Sequence, residues 1–145
     1  MKTRRIIAIL FLLVAISLGI YFHSKIEFPT EIRAYFRIGT YSQFGPLAIS
    51  IELLIAGYYL FLGHKKANFA LALFAFTALL DPFFNLTGIF TTQVTIYATI
   101  LFVICAVISL WIAFSNAFET GRISFFNAFG SFVLGVIVEL FFNYI

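Results

Sequence analysis

Residues 45–80 read GPLAISIELLIAGYYLFLGHKKANFALALFAFTALL: two apolar runs, 45–62 and 69–80, joined by one basic turn. A helix rises 1.5 Å per residue, so the first run alone approaches the hydrocarbon thickness of a bilayer, about 30 Å. Inside lipid every backbone N–H and C=O must be bonded within the segment, which leaves the helix as the economical conformation for such a run. The stretch therefore predicts a transmembrane helical hairpin. Asp81-Pro82, directly after it, is expected to break or kink the second helix near its far end.

The rest of the chain agrees with this reading. Of 145 residues, 63% are hydrophobic and 10% charged, where a soluble domain carries roughly a quarter charged residues. Mean hydropathy is +1.08. Too little polar surface exists to cover a water-soluble globule, so lipid is the natural solvent of the exterior. The fold class expected is all-α, a polytopic transmembrane bundle of five spans with a short outer interfacial helix. It forms a single domain over residues 1–145, with spans near 6–22, 45–62, 69–86, 94–114 and 123–145. The basic start Met-Lys-Thr-Arg-Arg resembles a signal peptide, and Ser17-Leu18-Gly19 could serve as a cleavage site, but we read the first run as a retained anchor.

Between spans one and two, Phe28, Ile32, Tyr35 and Phe36 share one helical face, while Arg33 and Arg37 project from the other. Pro29-Thr30-Glu31 offers a helix start. This predicts a helix lying in the outer interface. Orientation follows from the cations: Lys2, Arg4, Arg5, Lys65, Lys66 and Arg122 fall on one side, Lys25, Arg33 and Arg37 on the other. The excess places the N-terminus in the cytoplasm and the C-terminus outside. The net charge of +3 is accordingly topological, and no nucleic acid is expected as partner. Heavy use of Phe and Ile points to an AT-rich bacterial genome, hence to the inner (cytoplasmic) membrane.

Small and polar residues recur on three spans. Span two carries Gly45, Ala48, Glu52, Ala56, Tyr59 and Gly63 within one arc. Span four carries Thr95, Ala98, Thr99, Ala106, Ser109, Ala113 and Asn116, with Trp111 opposite as a lipid-facing belt residue. Span five repeats Asn127, Ser131, Gly135, Glu139 and Asn143 at every fourth position. In lipid, helices associate through such small residues and interhelical hydrogen bonds. The helix-packing candidates are Ala48, Ala56, Ser131, Gly135 and Asn127.

Three acids lie within apolar runs: Glu52, Asp81 and Glu139. A charge near the bilayer centre costs at least about 2.5 kcal/mol on insertion scales, so each calls for a reason. Counting residues puts Glu52 roughly 12 Å in from the outside, and Asp81 and Glu139 roughly 20 and 22 Å from the inside. All three belong to the outer half of the membrane. They could be hydrogen-bonded structural groups, partners of Arg33 and Arg37 as counter-ions, a proton or cation site, or a contact with another subunit.

Catalytic constellations are missing from the sequence. His23 and His64 are expected on opposite sides of the membrane, where they cannot share a metal or a haem. Cys105 has neither a disulfide partner nor a base beside it. No phosphate loop, HExxH or GxSxG occurs. No enzyme activity, metal or cofactor is therefore expected.

Residues 73–110, with Asp81 before Pro82 and a polar turn before span four, resemble small bacterial inner-membrane proteins of unknown function. The resemblance implies no activity. Small four-span multidrug exporters also hold one membrane Glu, but the residues flanking Glu52 do not match theirs. The function expected is that of a non-enzymatic membrane protein, an accessory or structural subunit acting by helix packing. Its partners would be the lipid bilayer and a membrane protein or a second copy. The alternative is a small proton- or cation-coupled channel or carrier using Glu52, Asp81 and Glu139.

Overall fold

The computed structural model describes residues 2–25, 45–64, 66–88, 96–115 and 123–144, with side chains through Phe141 in the last stretch. The described residues form five helices: α1 (Lys2–Lys25), α2 (Gly45–Leu62), α3 (Ala67–Leu86), α4 (Ile96–Ser115) and α5 (Phe125–Tyr144). By length and composition α1 to α4 suffice to cross a membrane, while the apolar part of α5, Phe125–Phe141, is shorter. The expected outer helix, with Arg33 and Arg37, lies outside the described residues, as do Thr95 and Asn116 and the side chain of Asn143.

Helix ends follow local chemistry. α1 starts at Lys2 rather than near residue 6, because Lys and Arg are good helix formers and nothing in Thr3-Arg4-Arg5 stops the helix. His23 and Lys25 occupy its last turn, where a positive charge complements the negative end of the helix dipole. α2 ends at Gly63, whose φ is +68°. The Gly63 N–H donates to the Leu60 carbonyl at 3.1 Å and the His64 N–H to the Tyr59 carbonyl at 3.0 Å, closing the last turn. At α5 the Ser124 hydroxyl oxygen accepts from the Asn127 N–H at 3.2 Å, a serine N-cap.

Of the break or kink expected at Pro82, the break does not occur. α3 runs unbroken from Ala67 to Leu86 with Pro82 inside it. Proline removes one backbone donor, the bond to the Ala78 carbonyl, and four further residues continue the helix beyond it.

Small residues line the helix contacts beside buried Phe74, Phe102, Ile49 and Leu53, and many large apolar side chains lie outside. Ala8, Ala56, Ala72, Ala75, Ala106 and Ala113 are fully buried, whereas Leu13, Ile20, Ile104, Val107 and Trp111 are more than half exposed. That arrangement suits association in lipid, where burying Leu brings no hydrophobic gain and close backbone approach does the work. α1 pairs with α2, and α3 contacts α2, α4 and α5. Phe102 of α4 joins two helices at once, stacking on Phe22 of α1 at 6.4 Å and meeting Phe74 of α3 edge-on at 6.1 Å.

The α1–α2 pair is antiparallel. At one end Arg4 donates from Nη2 to the Phe61 carbonyl at 3.4 Å, and near the other Gly19 lies against Ser50. His23 and His64 consequently sit at opposite ends of the bundle. Among the described residues, Lys2, Arg4, Arg5 and Lys66 gather at one end, with Lys25 at the other.

Candidate functional site: a buried carboxyl cluster

The three apolar-run acids converge on α3. Asp81 and Glu139 are 5% and 2% exposed, and their side chains are hydrogen-bonded to each other. A hydrogen bond between two carboxyl groups requires one proton between them. Glu52 lies near enough to Glu139 to act on it electrostatically. Each acid comes from a different helix: Glu52 from α2, Asp81 from α3, Glu139 from α5.

A fourth member, Thr77, joins them from one turn before Asp81 on α3. Its hydroxyl is hydrogen-bonded with the Glu52 side chain and also lies 2.8 Å from the Leu73 carbonyl, to which it donates. Among the described residues the buried Glu52 Oε2 atom finds no hydrogen-bond partner.

Gly135 makes this approach possible. A Cβ on Gly135 would lie 3.2 Å from Thr77 Oγ1 and 3.3 Å from the Thr77 backbone nitrogen. The α5 backbone therefore rests directly on α3 at the level of Thr77. Ser131, one turn earlier, is fully buried, and its hydroxyl donates back to the Ala128 carbonyl at 2.8 Å, leaving a small, satisfied surface toward the bundle. Phe76 and Phe132 flank the contact edge-on at 5.5 Å.

The other sequence-derived candidates are distributed as follows. Ala56 is fully buried, while Ala48 and Glu52 are half-buried. The most buried line on α2 runs through Ile49, Leu53, Ala56 and Leu60, rotated from the small-residue arc. The reason is that α2 meets two neighbours: Glu52 faces α3, whereas Ser50 and Gly57 face Gly19 and Leu12 of α1. Asn127 is exposed, so its place in the α5 ridge is corrected. At 100° per residue a four-residue repeat drifts about 40° per step, which turns Asn127 away from α3 two steps before Gly135. On α4, Ala98, Ala106, Ser109 and Ala113 are buried and Trp111 is exposed, as their spacing indicates.

Among the described residues no group of three His, Cys, Asp or Glu is placed to hold a metal ion, and every described Lys or Arg lies at a helix end or turn, away from the cluster. Thr77 is the member that sequence reading passed over. Its spacing of four from Asp81 was the available signal, since i and i+4 share a helix face. No family model, curated protein or solved structure matches this chain.

Proposed function

We propose that the chain is a multi-pass inner-membrane protein of the small bacterial kind, acting by helix packing as an accessory or structural subunit without catalysis of its own. The observation that carries this reading is the pairing of polar groups across helices. Asp81 bonds Glu139, and Thr77 bonds Glu52, so the intramembrane acids serve first as cross-links among α2, α3 and α5. A membrane-protein partner or a second copy would meet the broad apolar outside of α5, where Phe125, Phe126 and Phe129 are exposed. The reading takes all five helices as spans, with the N-terminus cytoplasmic, the C-terminus outside, and the segment between α1 and α2 along the outer interface. Support for that orientation is the sequence count of cations. A reporter fused after residue 145 should behave as extracytoplasmic, and a cytoplasmic signal there would sink the five-span topology.

One observation favours a second reading, a proton- or cation-coupled carrier: among the described residues the Glu52 Oε2 atom is left without a partner beside two further acids. Proteoliposomes separate the two. Under an imposed potential, the packing reading expects proton entry equal to that of empty vesicles, identical for wild type and Glu52→Gln. Flux through the wild type that Glu52→Gln abolishes would replace the first reading by the second.

A further inference from the structure

Beside α2 runs a groove of about 470 Å³ lined by Leu12 of α1 and by Leu54, Ile55, Tyr58 and Tyr59 of α2. One wall is formed by Leu12, which rests on Gly57. The groove opens outward: Leu54, Ile55 and Tyr58 are all exposed. Below the tyrosines its lining is aliphatic.

A cation stands over one end. Arg5 precedes Leu12 by seven residues, which puts both on one face of α1. Its guanidinium lies over the Phe61 ring, 5.8 Å from the centroid, and Phe61 follows Tyr58 by three residues on α2. The aliphatic part thus begins about 10 Å, two helical turns, below the guanidinium. Lys2, Arg4 and Lys66 occupy the same end of the bundle, where no acid lies among the described residues.

We infer that this face binds an anionic phospholipid, one acyl chain lying along Leu12, Leu54 and Ile55 and the headgroup phosphate meeting Arg5. The complementarity is of two kinds at the spacing a lipid has: an apolar channel at chain depth, and a fixed positive charge at headgroup level. Guanidinium presents paired donors to phosphate oxygens. The stack on Phe61 holds that donor fork over the groove. Tyr58 and Tyr59, apolar in body and polar at the tip, occupy the level between, where interfacial aromatics sit. The inference rests on the membrane reading above.

The test is native mass spectrometry of the purified full chain, titrated with phosphatidylglycerol or with phosphatidylcholine of the same acyl chains. Wild type should prefer phosphatidylglycerol by about fivefold, the effect of one cation near a headgroup. Arg5→Gln should remove that preference. Lys25→Gln, which deletes the same charge at the opposite end, should leave it intact. Ile55→Trp, which fills the groove from its exposed side, should weaken both lipids. Equal binding of the two lipids by wild type, or equal loss in Lys25→Gln and Arg5→Gln, would overturn the proposal. Alkaline washing of membranes keeps the two inferences apart. Retention of wild type and Arg5→Gln in the pellet leaves the membrane reading standing whatever the lipid result, and release of the wild type overturns both.

Discussion

Gly135→Leu should detach α5 from α3 and lower stability by about 2–3 kcal/mol or more, the upper range for forcing extra carbon into a packed contact. A Cβ at this position already comes within 3.3 Å of the Thr77 backbone nitrogen, and a backbone atom inside a helix cannot swing aside as a side-chain tip would. The remaining leucine carbons require α5 to withdraw. That movement would carry Glu139 away from Asp81, adding the cost of a carboxyl group left toward lipid. Gly130 supplies the control. It sits on the same helix, and a Cβ there would meet nothing within 4 Å. Unfolding in mixed micelles at increasing dodecyl sulfate should show Gly130→Leu near wild type and Gly135→Leu far below it. Equal losses in the two variants would mean that the α3–α5 contact is not the one described.

Glu139→Leu is expected to cost about 1–2 kcal/mol, because it leaves the buried Asp81 without its carboxyl partner. Asp81→Leu should cost a similar amount for the reciprocal reason. The double variant Asp81→Leu, Glu139→Leu removes both groups, so its loss should fall below the sum of the two by about 1 kcal/mol, the usual scale for residues in direct contact. Glu139→Gln, which keeps a hydrogen-bonding head of the same size, should lie closest to wild type. The same micelle titration measures all four. Strict additivity would show that the two acids stabilise the bundle independently, and would remove the cross-link from the account of function.

Much of this site was legible because lipid makes the arithmetic simple. The apolar runs mark helices, and counting 1.5 Å per residue put Glu52, Asp81 and Glu139 at compatible depths before any contact was known. Depth, however, is one coordinate. Direction around each helix is another, and there the small-residue pattern was accurate for Ser131 and Gly135, where α5 rests chiefly on α3, and misleading for α2. A helix with two neighbours buries a wide arc, so Ile49 and Leu53 are buried along with Ala56, and Glu52 falls at the margin of that arc. Thr77 escaped notice because a threonine among Ala, Leu and Phe costs little to bury, since its hydroxyl can bond its own helix, and so drew no demand for an explanation. Pro82 does not end α3, because neighbouring helices and local adjustment can re-satisfy the backbone groups that a proline frees.

The order of the contacts on α3 also has a consequence for how the chain is made. α1 and α2 can pair as soon as both have left the ribosome, and α3 can then dock on α2 through Thr77 and Glu52. Asp81 emerges with α3, but its partner Glu139 belongs to α5, the last of the described helices to be made. At roughly 5–20 residues per second the interval between them is several seconds, long compared with the microseconds in which a helix forms. On the membrane reading proposed above, Asp81 must be hosted during that interval by water at the insertion site or by the insertion machinery. α5 therefore arrives as a closing element, and on the membrane reading a nascent chain halted before it would present an unsatisfied acid to whatever surveys the membrane for incomplete proteins.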